Sequence, residues 1–311
     1  MHCLPVMRPE NGTVPRLRQI LCPVDLSAHS RHAFDYAVIL ARWYGATVCA
    51  LEVVWPGLPP VPFPPNPEPP ILRSDQLDQY EEDLRLFVEP ARATGVRIST
   101  VIREGAVVKH ILDEARLFPS DLIVIGTHGT SGFEHLVLGS VTEKILRKAG
   151  CPVLTVPPTV DVVPAEAAPF RKILCGVDFS PSSLAGLDYA LSIANESGGK
   201  LIAVHVLDWQ ADLPLPDPVV DVTRVRRQLD AEAHRELSAA IPASARSQCK
   251  ASTLVEVGKP HERILQVADD HKVDLIVLGV RGRKAIDLAW FGSTANHVVR
   301  AATCPVLTVR S

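Results

Sequence analysis

Several features that mark common classes of protein are missing from this sequence. No apolar run approaches the roughly 18 residues that are needed to cross a bilayer, and the first residues contain no apolar segment typical of a secretory signal. The formal net charge is −3, whereas proteins that bind nucleic acid usually carry a basic excess or a basic stripe. We therefore expect no membrane span, no nucleic-acid partner and a cytoplasmic location.

A cysteine framework is also missing. The seven cysteines include no Cys-x-x-Cys pair, and an odd number in a chain without an export signal argues against a set of disulfides. Cys22 and Cys175 lie inside apolar runs, so we expect them to be small core residues. Among the histidines, His110 has no acidic or cysteine partner at ligand spacing, and the second half of the chain has no histidine where the first has His128 and His135. We predict no metal site.

What the chain does contain is an internal repeat. The segment Ile20–Ser27 matches Ile173–Ser180, which lies 153 positions later, and several further segments match at the same offset. A period of this length indicates a duplicated domain, because the units of solenoid proteins have only about 20–50 residues. We predict one domain at 16–157 and a second at 170–311, joined by an extended, proline-containing linker at 158–169.

Within each copy, short apolar runs alternate with segments of helical spacing. The runs are short and rich in β-branched residues, which favours strands over helices. Ser27 and Ser30 stand where the first helix of the first copy should begin, as do Ser180 and Ser183 in the second copy, and all four are candidate N-caps. The alternation predicts the α/β class, with two tandem doubly wound, Rossmann-like domains, each a five-stranded parallel sheet with helices on both faces. The strands predicted in the first copy are Arg18–Val24, Thr47–Val54, Arg97–Ile102, Leu122–Ile125 and Val153–Val156.

After the fourth predicted strand, both copies carry a Gly-x2-Gly-x9-Gly-Ser segment. Glycine lets a backbone approach a ligand closely, and a helix N-terminus offers N–H groups and a positive dipole end to a phosphate. We therefore predict a phosphate-binding loop in each copy, in which a valine at the third glycine would block both the approach and the torsion that the turn requires. The positions are Gly126, Gly129, Gly139 and Ser140 in the first copy, and Gly279, Gly282, Gly292 and Ser293 in the second.

Structural interpretations of these residues stay open. The segments could be glycine-rich turns capped onto a helix without any ligand, and they match neither a P-loop nor the dinucleotide Gly-x-Gly-x-x-Gly pattern. Asp25 and Asp178 each follow the first strand of a copy, where they could contact the adenosine part of a nucleotide or merely cap a helix. In the second loop, Arg281, Arg283 and Lys284 could attract phosphates or be solvated charges.

With these motifs the sequence resembles the universal stress protein family in its tandem form, whose domains are adenine nucleotide alpha hydrolase-like. The resemblance covers both halves and rests on the Asp-x-Ser segments, the two glycine loops and the two Cys-Pro-Val-Leu-Thr-Val ends. The loop is the mark of the ATP-binding branch of that family. The resemblance thus implies ATP, with or without Mg²⁺, whose ribose and phosphates would contact the loop glycines and serines, Thr142 and Thr294. The adenosine end would contact Asp25 and Val53 in the first copy and Asp178 and Val206 in the second, with both valines acting through their backbone.

The resemblance also implies a role in stress sensing or signalling, with an unknown signalling partner. It further implies assembly through the last strands, in which the two copies pack like a homodimer and whole chains pair again as a homodimer. An apolar Val153–Val156 edge left unpaired would be a liability, which supports such an assembly. No candidate general base stands out, so we expect slow ATP hydrolysis at most. We expect tighter binding in the first copy, because its loop departs less from the family pattern. Two alternatives stay open: a module for an apolar, non-nucleotide ligand that could involve the proline-rich segment 56–70, and a nucleotide hydrolase or adenylyl-transferring enzyme.

Overall fold

The computed structural model describes residues 17–54, 74–127, 138–158, 160, 168–208, 222–243, 245, 249–280 and 291–310. They divide into two compact units, one within Arg16–Ala165 and the other within Glu166–Ser311, which we call the first and the second domain. The proline-rich segment, Gly129, Gly282 and the basic residues of the second loop lie outside the described residues. The linker is described only in part, so its bounds stay a prediction.

The described part of the first domain is a parallel sheet with helices between its strands. The strands are β1 (Gln19–Val24), β2 (Thr47–Val54), β3 (Arg97–Glu104), β4 (Leu122–Gly126) and β5 (Val153–Val156), and the helices are α1 (Ala28–Tyr44), α2 (Ser74–Arg92), α3 (Val107–Leu117) and α4 (Ser140–Lys148). The strand order is β3-β2-β1-β4-β5, with parallel pairing throughout. The chain thus extends the sheet on one side of β1 and then on the other, so the order reverses between β1 and β4.

The second domain repeats this topology. Its strands are β6 (Lys172–Gly176), β7 (Lys200–Leu207), β8 (Ser252–Val257), β9 (Leu275–Gly279) and β10 (Val306–Val309), and its described helices are α5 (Pro181–Ser197), α6 (Val222–Ala240), α7 (Pro260–His271) and α8 (Ser293–Ala301). The order is β8-β7-β6-β9-β10, again parallel, and it reverses between β6 and β9. The predicted α/β class, with a doubly wound parallel sheet flanked by helices in each copy, is confirmed.

The cores are built from the strands that the apolar runs predict. Ile20, Leu21 and Cys22 of β1 are fully buried, and Cys175 is equally buried in β6. Burial raises the pKa of both thiols far above their ordinary value, so these cysteines are unreactive core residues, as expected. No helix in the described ranges is both long and apolar enough to cross a bilayer.

Serine caps start the first helix of each domain. The Ser27 hydroxyl accepts a hydrogen bond from the backbone N–H of Ser30 at 3.2 Å, and α1 ends at Gly45 in the left-handed conformation (φ 68°). Ser180 caps α5 in the same way. Of the four candidate serines, Ser27 and Ser180 are the N-caps, whereas Ser30 and Ser183 lie in the first turn of each helix. The two caps fix where the chain turns from the end of β1 or β6 into a helix.

One repeated residue proves to be structural. The carboxylate of Asp121 accepts hydrogen bonds from the backbone N–H groups of Arg18 and Gln19 at 2.7 and 2.9 Å, and Asp274 makes the equivalent contacts in the second domain. These bonds hold the start of the central strand against the start of its neighbour. The repetition of this aspartate is therefore explained by the fold, without a ligand.

Candidate functional site

The predicted site residues meet at the carboxyl edge of each sheet where the strand order reverses. In the first domain, β1 and β4 are direct neighbours, so Asp25, which follows β1, and Gly126, which ends β4, lie on adjacent strand ends. In the second domain, β6 and β9 are neighbours and bring Asp178 and Gly279 to the corresponding edge. Open α/β sheets bind ligands in the crevice at such a reversal.

The two ends of the first glycine loop close onto the same strand. The N–H of Gly139 donates to the carbonyl of Thr127 at 2.9 Å, which directly follows β4. In the second domain, the N–H of Gly292 donates to the carbonyl of Val280 at the same distance. Each fourth helix therefore begins beside the end of the fourth strand, although the middle of each loop, with Gly129 or Gly282, lies outside the described residues.

Among the described residues, no side chain caps the start of α4 or α8. The N-cap residues, Gly139 and Gly292, have no side chain that could accept from the first backbone N–H groups, and Ser140 and Ser293, which follow them, are exposed. The first N–H groups of a helix have no partner within the helix, and the dipole makes this end positive. An exposed hydroxyl beside uncapped amides is the arrangement that suits a phosphate.

The glycines at these positions serve different purposes. Gly139 has φ −56° and Gly292 has φ −54°, an ordinary conformation for any residue, so the expectation that the torsion requires glycine is wrong. A Cβ atom at Gly139 would lie 3.4 Å from the Thr127 carbonyl oxygen, an ordinary van der Waals distance, so the described neighbours do not require glycine there either. At Gly279, a Cβ atom would lie 2.5 Å from the backbone nitrogen of Ser183. That glycine is required by the packing of α5 on β9, whether or not a ligand binds.

The Asp-x-Ser segments form strained turns at the same edge. The Asp25 carboxylate accepts from both the backbone N–H and the hydroxyl of Ser27, at 3.1 and 2.5 Å, and Asp178 makes the matching contacts. Leu26 and Phe179, in the middle of the turns, have φ 58° and 61°. This conformation costs a residue with a side chain about 1–3 kcal/mol and is concentrated at functional sites. The aspartates thus support the turn that leads into the first helix.

Thr142 and Thr294 are not equivalent. The Thr142 hydroxyl is buried and donates to the carbonyl of Gly126 at 2.8 Å, so it ties α4 to the end of β4. Its single proton is thereby engaged, and a phosphate oxygen, which only accepts, competes with that carbonyl for it. At the repeat offset of 153 residues, Thr142 corresponds to Ala295, whereas Thr294 corresponds to Val141.

The backbone N–H and carbonyl groups of Val53 face β1, beside which the strand order reverses. The carbonyl of Val54 accepts from the N–H of Gly105 on the β3 side, and successive backbone groups of a strand point alternately to its two sides. The polar backbone groups of Val53 therefore face the β1 side, beyond the last pair of the β1–β2 ladder. Val206 repeats this geometry, because the carbonyl of Leu207 next to it accepts on the β8 side.

A buried carboxyl group that the motifs do not single out also lies at this edge. Glu52 of β2 is 7% exposed, and burial, followed by the nearby charges of Asp83 and Asp25, raises its pKa to about 7. Glu52 sits within an apolar run and its partner in the repeat is His205, so neither motif nor repeat marks it. The signal that could have found it is an ionisable residue at a position where a strand should be buried.

Within the described residues, no group of three or more histidine, cysteine or acidic side chains could hold a metal ion. His261 and His297 form a stacked pair with ring centroids 4.4 Å apart, on α7 and α8, without such a third ligand. Cys151 and Cys304, which lead into the last strands, have pKa values raised by burial to about 11 and 12. A protein-built metal centre does not emerge from this part of the chain.

Comparison with known proteins agrees with this architecture. The universal stress protein family matches the chain twice, over residues 16–157 and 169–310. Together the two matches cover most of the sequence and correspond to the two domains of the fold. The chain therefore belongs to the universal stress protein family, in a form with two tandem domains.

Individual relatives cover either the whole chain or one domain. A universal stress protein of Mycolicibacterium smegmatis is 27% identical over 301 residues, which are 94% of this chain and 96% of the relative. One from Methanocaldococcus jannaschii is 34% identical over 139 residues, 45% of this chain and 81% of the relative. The crystal structure of a universal stress protein from Archaeoglobus fulgidus covers 94% of this chain and 96% of that chain, with a TM-score of 0.65 and 22% identity. At that identity the likeness concerns the fold alone.

Proposed function

We propose that the protein binds an adenine nucleotide, ATP in particular, in its first domain at least, and acts in stress sensing or signalling. The observation that carries this proposal is the uncapped start of α4 at Gly139 and Ser140, held against the end of β4 at the strand-order reversal. A phosphate group at that helix start would accept from the backbone amides and from the serine hydroxyl.

The rest of the nucleotide would extend from α4 toward β2. In this arrangement the adenosine end contacts the turn at Asp25 and the backbone groups of Val53, which face the β1 side. Gly126, which ends β4, leaves the backbone close to the ligand, and Gly129 would complete the loop around ribose and phosphates. Thr142 serves this site by positioning α4, since its hydroxyl already donates to Gly126.

We further propose that turnover is slow. The polar side chains in the first turn of α4 are the hydroxyls of Ser140 and Thr142 and the carboxylate of Glu143. The hydroxyls are not general bases for the attack of water, and the carboxylate is held in an ion pair with Arg147 at 2.9 Å. Mg²⁺, if it accompanies the nucleotide, would take its ligands mainly from phosphates and water, as this ion commonly does. The role is thus one of binding and reporting, which suits a cytoplasmic signalling protein.

The second domain is proposed as the weaker site. Its helix start at Gly292 and Ser293 has the same form as that of the first domain, but Gly279 is already explained by packing against α5. The second domain has Ala295 in place of Thr142, so it lacks the side-chain hydrogen bond that joins the fourth helix to the fourth strand in the first domain. Asp178, Val206, Gly282 and Thr294 remain proposed contacts there.

The direct test is nucleotide retention and titration. The full chain, purified without added ligand, should release ATP, ADP or AMP on denaturation, as identified by mass spectrometry, and nucleotide-free protein should give a calorimetric signal with ATP. Retention of an apolar compound instead would favour the alternative binding module. The absence of both a retained nucleotide and an ATP signal would overturn the proposal.

The enzyme alternative and the assembly have their own tests. Steady ATP hydrolysis or adenylyl transfer that is lost in a Gly139→Val, Gly292→Val double variant would show an enzyme. The proposed homodimer through the last strands predicts a mass of two chains in light scattering, whereas a mass of one chain at all concentrations contradicts it.

A further inference from the structure

Glu52 is buried at the edge of the first domain without a full set of partners. Its side chain is 7% exposed, and among the described residues its Oε2 atom has no hydrogen-bond partner. Acidic residues are almost never fully buried unless they are paired, and an unsatisfied buried polar group costs about 1–3 kcal/mol of stability. A group with this cost needs an explanation that the described residues do not provide.

The place of Glu52 points to the ligand. It immediately precedes Val53 in β2 and lies in register with Val24, the last residue of β1. The next residue after Val24 is Asp25, which begins the strained turn. The carboxyl group therefore lies at the junction of β2 with that turn, where the adenosine end of the nucleotide is proposed to bind.

In the second domain, the side chain at the equivalent position has a hydrogen-bond partner. His205 corresponds to Glu52 at the repeat offset, and its Nδ1 atom lies 2.6 Å from the carbonyl oxygen of Val177. Its ring lies 4.7 Å from that of Phe179. Val177 corresponds to Val24, so the histidine uses a hydrogen bond within its own domain. Glu52 makes no equivalent contact among the described residues.

The charges around Glu52 favour a neutral carboxyl group. Among the described residues, the ionisable groups that act on its pKa are Asp83 on α2 and Asp25 after β1, and both are acidic. Together with burial, they raise its pKa to about 7. Below that value the carboxyl group carries a proton and presents one donor beside one acceptor, whereas the ionised form presents acceptors alone.

We propose that Glu52 is a specificity-determining residue of the first domain, whose protonated carboxyl group pairs with a donor and an adjacent acceptor on the nucleobase. Adenine offers such an edge, with its N6 amino group beside a ring nitrogen. This inference rests on the proposed function of the site. Because an ionised carboxylate would face the lone pair of the ring nitrogen, adenine binding to the first domain should weaken as the pH rises through 7.

The test is ATP titration of the full chain at several pH values. The second site is silenced with Gly292→Val, and the first is compared with Glu52 intact and with Glu52→Gln, whose amide keeps a donor and an acceptor but does not titrate. Between about pH 6 and pH 8, affinity should fall roughly tenfold more for the protein that retains Glu52 than for the Glu52→Gln variant, since the protonated fraction falls from about nine tenths to about one tenth over that range. Ionisation of the ATP phosphates affects both proteins alike.

Each outcome decides a different question. Equal pH profiles for the two proteins would overturn the role of Glu52 and leave nucleotide binding intact. No ATP binding by either protein, at any pH, would overturn the proposed function and this inference with it. A His205→Gln variant in the Gly139→Val background is the matched control, and it should leave the pH profile of the second site without the same fall. Circular dichroism of each variant verifies that it is folded.

Discussion

Single polar side chains determine how the carboxyl edge of the first domain is organised. The Thr142 hydroxyl satisfies the carbonyl of Gly126, the Asp25 carboxylate satisfies the turn at Ser27, and Glu52 keeps an oxygen atom that the described residues leave unsatisfied. The first two side chains stabilise the backbone of the site, whereas the third has an oxygen atom that could still form a hydrogen bond with a ligand. The difference lies in hydrogen-bond partners, which a residue type alone does not reveal.

Replacement of Thr142 by valine should destabilise the first domain. The variant keeps the shape of the side chain but leaves the buried Gly126 carbonyl without its donor, which costs about 1–3 kcal/mol. Urea unfolding followed by circular dichroism would measure the loss, and Thr142→Ser, which restores the hydroxyl, should recover most of it. Equal stability of the valine and serine variants would show that this hydrogen bond contributes nothing measurable.

The titration of Glu52 should also appear in stability without any ligand. Its pKa is raised from 4.5 in a free side chain to about 7 in the fold, so the folded protein binds this proton more tightly than the unfolded chain does. The stability that this proton binding adds is fully present below about pH 4.5 and is lost as the pH rises through about 7. Relative to wild type, Glu52→Gln should therefore gain about 1–3 kcal/mol of unfolding free energy over this range. Parallel pH profiles in urea unfolding would contradict the raised pKa.

At the scale of helices and strands, each first helix depends on one hydroxyl. Ser27 and Ser180 accept from N–H groups at 3.2 and 3.3 Å in otherwise matching caps. Ser27→Ala and Ser180→Ala should each lower stability by about 1 kcal/mol, as measured by thermal unfolding. Because the caps match, a clear loss in one variant and none in the other would show that the two turns are held differently.

Local patterns predict these elements well. The predicted strands Thr47–Val54 and Val153–Val156 have the observed bounds, because buried parallel strands read as short apolar runs. For α2, the helical spacing of Leu77, Tyr80, Leu84 and Phe87 predicts one apolar face, but Leu84 is buried whereas Leu77 is 37% exposed. Helical spacing marks an apolar face, yet how much of the helix packs on the sheet depends on its length and position.

The finer features of the site depend on contacts between distant parts of the chain. The left-handed conformation of Leu26 cannot be read from a residue type that normally avoids it. Neither the torsion of Gly139 nor the distance to its described neighbours requires glycine, so the proposed close approach of a ligand is the reason that remains. Likewise, His205 has a hydrogen-bond partner in Val177, whereas one oxygen atom of Glu52 has none among the described residues. This difference depends on neighbours that only the fold brings close.

For the whole molecule, we expect two sites of unequal affinity. ATP titration of the wild-type chain should be dominated by the first domain, so Gly139→Val should remove the tighter binding event, because a branched side chain beside the start of α4 would hinder the approach of a phosphate to the helix amides. Gly292→Val should leave that event in place. Unchanged tight binding in Gly139→Val together with its loss in Gly292→Val would show that the order of the sites is reversed.

Gly279 has a consequence for how duplicated domains diverge. Because the backbone of α5 approaches this strand end too closely for any side chain, the residue is maintained by folding even if selection for binding is relaxed. A copy that has lost its ligand would thus still carry part of the family signature. In tandem chains of this kind, the number of glycine-spaced segments shows how many domains are present, whereas the number of domains that bind a ligand has to be measured.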